Sequence, residues 1–172
     1  LKIEKIAPGE SRPAPVGAAF MHSLLVRPDQ GFGYTWSAES LFWRDLLKRP
    51  TRTMTCKGEN GDKTPPFYFQ MNATYDKSNP LTRYVLRDTE THLNFTLLTL
   101  SNSVYPYMRI RLSAPVELEN LLPYDFKYRI YDKNTKKDWT NFLRKGGLSP
   151  VHVVELSHLL LLSIDMQDTV FK

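Results

Sequence analysis

The stretch Phe126-Lys127-Tyr128-Arg129-Ile130-Tyr131 decides the fold class of this 172-residue chain. Apolar residues at 126, 128 and 130 alternate with residues of the opposite face, which is the pattern of a strand with one buried side. Similar short runs recur along the sequence, with clusters of Gly, Pro, Asn and Asp between them. They predict strands over 20–26, 33–36, 53–57, 67–74, 93–100, 107–112, 116–121, 126–131, 151–156 and 159–164. Many short strands between turn signals predict an all-β protein, built as an antiparallel β-sandwich.

The sequence carries little helical signal. One short helix is predicted over residues 40–48, with Ser40 placed to cap its first turn. Twelve prolines against eight glycines argue further against a compact helical bundle, because proline interrupts helices.

The composition is that of a folded protein, with 41% hydrophobic, 12% aromatic and 24% charged residues. The length allows one sizeable core or two small modules. The single cysteine, Cys56, excludes an internal disulfide framework and a cysteine-rich zinc site, so we expect a reducing compartment. The first twenty residues hold no apolar signal core, and the apolar run 159–162 is far shorter than the roughly 20 residues needed to cross a bilayer.

Residue patterns for catalysis or metal binding are lacking. The four histidines form no His-Glu-x-x-His pattern and have no carboxylate at metal-ligand spacing. Gly31-Phe32-Gly33 lacks the third glycine of a phosphate-binding loop, and Cys56 lies in no nucleophile elbow. We therefore expect a protein that is not an enzyme, holds no metal or other cofactor, and does not bind nucleic acid.

The net charge of +5 is carried by one segment, residues 127–145, which holds seven basic and two acidic residues. Its polar centre, 132–137, has the composition of a solvated hairpin tip, and this interpretation needs no ligand. The alternative is a C2-like module whose segment 127–145 binds anionic membrane lipid, with Lys133, Lys136 and Lys137 as contacts.

Two segments of the chain resemble each other at a fixed distance. Residues 15–26 and 150–161 both begin with Pro-Val and continue into a leucine-containing run, at an offset of 135 residues. A long repeat of this kind indicates the starts of two successive modules in a tandem array. Chance similarity is the alternative, since proline before an extended strand is common in β-proteins.

The most distinctive stretch, 113–131, contains Glu119-Asn120 followed by Leu122-Pro123-Tyr124. An apolar strand, Glu-Asn, Leu-Pro-Tyr and a second strand, in this order, resemble an element of the vacuolar protein sorting-associated protein 13 family, the bridge-like lipid transfer proteins. The segments 6–10, 24–28, 34–37 and 146–164 resemble parts of repeats in the adaptor-binding (VAB) domain of that family. The likeness covers most of the chain and is weakest over 77–102.

The resemblance implies β-sandwich repeats cut from a tandem array. Residues 1–113 would form the larger part of one repeat. Residues 114–172 would hold the Asn and Leu-Pro-Tyr element and the start of the next repeat, unless both pack as one sandwich. In that family the domain contacts its neighbouring repeats and binds short Pro-x-Pro motifs of organelle adaptors. It has no catalytic residues.

The same resemblance implies a role in the cell. Adaptor binding recruits the lipid transfer protein to organelle membranes, for lipid transport at membrane contact sites and for vacuolar protein sorting. The expected location is cytoplasmic and peripheral, at endosome, vacuole, mitochondrion or endoplasmic reticulum membranes.

The resemblance places the characteristic asparagine of the family at Asn120 and marks Leu122, Pro123 and Tyr124 as partner-binding or repeat-organising residues. Side-chain chemistry gives Asn120 a structural reason, because its amide can tie a neighbouring loop where a strand ladder ends. Burying this amide without partners would cost about 1–3 kcal/mol. We therefore expect Asn120 to be hydrogen-bonded.

A separate candidate site comes from Tyr105 and Tyr107, which flank a proline. Aromatic side chains can line a groove that accepts polyproline geometry. These two tyrosines are therefore a candidate peptide groove.

Overall fold

The computed structural model describes residues 5–14, 22–75 and 108–166. Most regular structure in those residues is antiparallel β-sheet, so the all-β prediction is confirmed. Short 3-10 turns lie at Gln30–Phe32 and Gly61–Lys63. The longer elements are α1 Trp43–Lys48, β1 Thr51–Cys56, β2 Phe67–Tyr75, β3 Met108–Ser113, β4 Val116–Glu119, β5 Phe126–Asp132, β6 Lys137–Leu143, β7 Leu148–Val151 and β8 Leu160–Asp165.

The strands within residues 51–75 and 108–166 form three sheets. Strand β2 lies between β1 and β3 in the first, β5 lies between β6 and β8 in the second, and β4 pairs with β7 in the third. The register sets Ile130 of β5 opposite Trp139 of β6 and Leu162 of β8. Because opposed residues share a face of an antiparallel sheet, these three side chains lie on one side.

Strand β5 is the centre of one hydrophobic core. Its side chains alternate between buried and more exposed positions, as the period-two pattern predicts. The cluster consists of Phe126, Tyr128, Ile130, Leu143, Val151 and Val154, with Val116 and Leu118 of β4 packed against it. The two-stranded sheet of β4 and β7 is therefore the layer that covers β5.

A second core lies between α1 and the first sheet. Leu46 of α1, Met54 of β1 and Met71 of β2 are fully buried there, together with Leu41 and Ala73. The short helix is stabilised by this packing, since six residues are too few to hold a helix by themselves.

The two cores are joined at His152, which follows β7. The backbone N–H of Tyr68 in β2 donates to the His152 carbonyl at 2.8 Å, and the His152 Nδ1 lies 2.8 Å from the Tyr68 carbonyl oxygen. Since that carbonyl only accepts, Nδ1 carries the proton. The imidazole also stacks on Phe67, with ring centroids 4.2 Å apart. Hydrogen bonding and ring contact thus connect β2 to the β5 core.

Two predicted strands in the first half are wrong within the described residues. In place of a strand over 20–26, Leu24 makes a single bridge to Leu41, and residues 20 and 21 lie outside the described part. The Ser37 hydroxyl accepts a hydrogen bond from the backbone N–H of Val26. A side chain therefore stands where a strand ladder would have a backbone carbonyl. The predicted strand 33–36 is likewise one bridge, formed by Tyr34.

Other predicted strands differ mainly at their ends. The predictions over 53–57, 67–74, 107–112, 126–131 and 159–164 correspond to β1, β2, β3, β5 and β8. Strand β4 ends at Glu119, before the predicted residue 121, and the backbone of Asn120 bonds to Gly146 and Gly147 of the turn that precedes β7. Strand β7 lies earlier than predicted, since the chain turns toward β2 at His152. The predicted strand 93–100 lies outside the described residues.

The predicted helix cap at Ser40 is wrong. The helix begins at Trp43, and its N-cap residue is Phe42, which makes no side-chain capping bond. The bridge from Leu41 to Leu24 keeps the preceding chain extended, so Ser40 lies too early to cap the helix.

The hairpin interpretation of 132–137 is confirmed, because β5 and β6 pair directly across this turn. The Asp132 carboxylate accepts from the backbone N–H groups of Asn134 at 2.8 Å and Thr135 at 3.1 Å. Lys136 completes the turn with φ 58°, a left-handed conformation that few non-glycine residues adopt.

We expect His152→Ala to lower the free energy of unfolding by about 2 kcal/mol, because it removes a hydrogen bond and a ring stack. Urea denaturation measures this difference. The matched control is His22→Ala at an exposed position, which should change the free energy by less than about 0.5 kcal/mol. Equal stability of the two variants would contradict a joining role for His152.

Candidate functional site: the Asn120 loop

Asn120 lies where β4 ends and is 1% exposed. Its backbone N–H donates to the Gly147 carbonyl, and its carbonyl accepts from the Gly146 N–H, both at 2.9 Å. The backbone of Asn120 therefore holds the turn that leads from β6 to β7.

The Asn120 side chain holds the loop that follows it. Its Nδ2 donates to the carbonyl oxygens of Tyr124 at 2.8 Å and Leu143 at 3.1 Å. Its Oδ1 accepts from the backbone N–H of Leu122 at 3.0 Å. The expectation that Asn120 is hydrogen-bonded is confirmed. No other side chain of this size supplies two donors and an acceptor here without a charge.

A second contact fastens the same loop to the same turn. The Asp125 carboxylate accepts from the backbone N–H of Lys145 at 2.8 Å. Gly146 has φ 67°, which a side chain would strain, and this conformation aims its N–H at Asn120. Residues 120–125 and 144–147 thus form one cross-linked end of the β5–β6 hairpin.

This end exposes a set of apolar side chains that we call the apolar rim. It comprises Leu121, Leu122, Pro123, Tyr124 and Leu148. Leu121 is 81% exposed, Tyr124 57% and Leu148 60%. Four of these residues, 121–124, follow one another on a hydrogen-bonded loop, and exposed apolar groups next to one another are typical of an interaction surface.

Sequence reasoning named three residues of the rim and missed Leu121 and Leu148. The predicted strand 116–121 ends at Leu121, although Leu121 and Leu122 together break the period-two pattern. Leu148 follows Gly146-Gly147, and pairing opposite Glu119 brings it to this end of the fold. The other predicted groove residues, Tyr105 and Tyr107, lie outside the described residues.

The basic segment 127–145 does not form one surface. Lys127 lies at the rim end of β5, whereas Lys133 lies at the hairpin tip, on the order of 20 Å away at about 3.3 Å per residue. Between them, Arg129 is paired with Asp138 at 2.6 Å. The cations Lys133, Lys136 and Lys137 are therefore gathered at the tip, remote from Asn120.

The tip contains a cluster that we call the clasp, made of Asp132, Glu155 and His158. His158 Nδ1 lies 2.7 Å from an Asp132 carboxylate oxygen, and His158 Nε2 lies 3.2 Å from a Glu155 carboxylate oxygen. The Asp132 side chain is almost fully buried. Each ring nitrogen therefore faces a carboxylate.

The clasp shifts two pKa values in opposite directions. Burial alone would raise the pKa of Asp132, but hydrogen bonds from His158 and from the Thr135 and Asn134 N–H groups outweigh it and lower the pKa to about 2. The hydrogen bond to Asp132 raises the pKa of His158, and the negative charge of Glu155 adds to the effect. Both shifts favour an ion pair.

Among residues 5–14, 22–75 and 108–166, none of the helices has the length and the hydrophobicity of a membrane span. Among the same residues, no three His, Cys, Asp or Glu side chains are grouped as metal ligands would be.

The fold and the clamped loop define the chain as an antiparallel all-β module with an apolar rim. The model of the family described as "Vacuolar-sorting associated protein 13, adaptor binding domain" matches residues 1–172, the entire chain. The chain is also similar to the intermembrane lipid transfer protein VPS13 of Chaetomium thermophilum, with 57% identity over 173 residues. The chain belongs to the adaptor-binding domain family of vacuolar-sorting associated protein 13.

That similarity covers 100% of this chain and 5% of the Chaetomium protein. The chain thus spans about one twentieth of the length of the relative it matches. The resemblance inferred from Glu-Asn and Leu-Pro-Tyr is confirmed at the level of the family.

We expect Asn120→Ala to lower the free energy of unfolding by about 2–3 kcal/mol, because Leu143 and Tyr124 lose hydrogen-bond donors and Leu122 loses an acceptor. Chemical denaturation followed by tryptophan fluorescence measures the change. Asn141→Ala is the matched control, since Asn141 is exposed on β6 and its Oδ1 accepts from the adjacent Phe142 N–H at the surface, without tying a loop. If both variants unfolded at the same denaturant concentration, Asn120 would not be holding the loop.

We expect the stabilising effect of Asp132 to be lost in strong acid. A carboxyl group with a lowered pKa stabilises the fold above its ordinary value of 3.8, and the effect disappears as pH falls through about 2. The difference in Tm between the parent and Asp132→Asn should therefore shrink as pH falls from above 3.8 to about 2. Calorimetry at successive pH values tests this, and a constant difference would contradict it.

Proposed function

We propose that this chain is a non-catalytic adaptor-binding module, which takes up Pro-x-Pro motifs of membrane adaptors at the apolar rim. The observation that supports this most directly is the contrast between the exposed rim and the fully bonded Asn120 beneath it. A loop already fixed by hydrogen bonds loses little conformational entropy when a partner binds. A preorganised rim can therefore bind a short peptide.

The chemistry of the rim suits a proline-containing ligand. Tyr124 offers an exposed aromatic ring beside Pro123, and Leu121 and Leu122 extend the apolar surface. A Pro-x-Pro segment is extended before it binds, and its rings pack on aromatic side chains. In this proposal Asn120 organises the site and Leu122, Pro123 and Tyr124 contact the peptide.

The family membership supplies the cellular side of the proposal. The Chaetomium relative is an intermembrane lipid transfer protein. We infer that peptide binding by this module recruits such a lipid transfer protein to organelle membranes, supporting lipid transport at contact sites and vacuolar protein sorting. The module would then act peripherally at endosome, vacuole, mitochondrion or endoplasmic reticulum membranes.

The alternative function, a C2-like module using all of 127–145 on anionic lipid, is less well supported. Its cations are divided between two ends of a hairpin, and Arg129 is already paired with Asp138. The lysines gathered in one place are those of the tip, Lys133, Lys136 and Lys137.

Titration of fluorescent Pro-x-Pro peptides tests the proposal. We expect saturable binding that an Ala-x-Ala peptide does not show. Leu122→Ser and Tyr124→Ala should each weaken binding about tenfold or more, as central contact residues do. Both residues are exposed, so melting should change little.

Leu25→Ser is the matched control, because Leu25 is an exposed leucine outside the rim. The titration is run on this chain and on a longer one that completes both flanking repeats. If neither chain bound any Pro-x-Pro peptide, the peptide ligand would be wrong. If peptide bound but neither Leu122→Ser nor Tyr124→Ala weakened the binding, the placement of the peptide at the rim would be wrong.

A further inference from the structure

The hairpin tip combines cations with exposed leucines. Lys133, Lys136 and Lys137 are all exposed there. The turn at 155–159 adds the exposed side chains of Leu156 and Leu159. We call these five residues the tip surface. It lies at the opposite end of the β5–β6 hairpin from the apolar rim.

Backbone hydrogen bonds hold the two halves of the tip surface together. The N–H of Lys133 donates to the Leu159 carbonyl at 3.0 Å. The N–H of Leu159 donates to the Asn134 side-chain oxygen, also at 3.0 Å. The lysines and leucines are therefore adjacent parts of one fixed surface.

The clasp ties the same two halves through side chains. Asp132 begins the hairpin tip, at the end of β5. Glu155 and His158 lie at the two ends of one turn, in which the backbone N–H of His158 donates to the Glu155 carbonyl at 3.0 Å. A protonated imidazole donates from both nitrogens and can hold both carboxylates. A neutral one donates from a single nitrogen, so it must release one of them.

We propose that the tip surface docks on a bilayer containing anionic phospholipid, and that protonation of His158 completes this surface and strengthens the docking. Exposed lysines attract anionic headgroups, and the neighbouring leucines enter the interface between headgroups and acyl chains. This inference goes beyond adaptor binding and does not depend on the apolar rim.

Charge at the tip favours a membrane over an uncharged apolar partner. The two carboxylates of the clasp face His158, and the buried Asp132 is turned away from solvent. The side chain of Glu155 is 38% exposed, so its charge offsets part of that of the three exposed lysines, and the tip surface keeps a net positive charge. The negative surface of an anionic bilayer is complementary to it.

In the described residues, the charged groups that face His158 are Asp132 of β5 and Glu155 of the turn. Tyr68 of β2 lies near both carboxylates: burial raises the pKa of Tyr68, and the charges of Glu155 and Asp132 raise it further. The pKa of His158 lies above its ordinary value of 6.5. The clasp is therefore complete below 6.5, and it is lost as pH rises through the raised value.

Vesicle sedimentation of the 172-residue chain tests the docking surface. Vesicles of phosphatidylcholine with phosphatidylserine should bind the chain, and vesicles of phosphatidylcholine alone should not. Changing Lys133, Lys136 and Lys137 together to Glu should abolish binding, since each lysine contributes about fivefold. Leu159→Ser should weaken binding about tenfold, and added salt should weaken it too.

The pH dependence tests the clasp. Binding of the parent should strengthen between about pH 8 and about pH 5, where histidine changes charge. His158→Gln should bind with no such dependence. His22→Gln, at an exposed histidine that is not part of the clasp, should keep it.

Three results would overturn the inference. They are equal binding to both kinds of vesicle, unchanged binding after the three lysine changes, and parent binding that does not vary with pH. Peptide titration at the apolar rim is measured in parallel on the same variants. We expect it to be unaffected, so failure of the tip surface and failure of the rim are distinguishable.

Discussion

The fold at the rim end depends on one buried amide whose hydrogen-bonding groups are all used. Asn120 bonds through its backbone to Gly146 and Gly147, and through its side chain to Leu122, Tyr124 and Leu143. A charged or apolar side chain would leave several of these groups unpaired in a buried site. The loop can expose leucine and tyrosine because the hydrogen bonds of Asn120 fix its backbone.

The β5–β6 hairpin has two ends with different chemistry. Asn120 fixes the rim end with neutral hydrogen bonds, whose strength changes little with pH. Asp132 and His158 fix the tip end with an ion pair, whose strength follows the protonation of the ring. Because β5 is buried between β6 and β8 and packs against β4, the two ends are rigidly spaced.

Sequence reasoning succeeds where local chemistry decides the structure. The alternation around Tyr128 predicts β5, because a strand with one buried face needs that period. Asn120 could be predicted as hydrogen-bonded from its donors and acceptor alone. The hairpin tip at 132–137 could be predicted from turn-forming residues, and Asp132 accepts the N–H groups that such a turn presents.

The rest could not be predicted because it depends on residues far apart in the chain. His158 meets Asp132 across 26 residues, and no local pattern marks that pairing. The sequence predicts a longer strand where Leu24 makes one bridge to Leu41. The Ser37 hydroxyl accepts a backbone N–H that a longer strand would pair with a backbone carbonyl. The basic segment looks continuous in sequence, but the hairpin places its middle at the tip and both of its ends at the rim.

The contact between β2 and His152 also constrains the order in which the chain folds. Tyr68 and His152 are 84 residues apart, whereas the β5–β6 hairpin closes across a short turn. The entropy lost on closing a chain segment grows with its length, and distant contacts form slowly. The hairpin can therefore nucleate early, while the joint between the two cores forms late. During synthesis, Tyr68 leads this partner by 84 residues, so β2 is made long before His152.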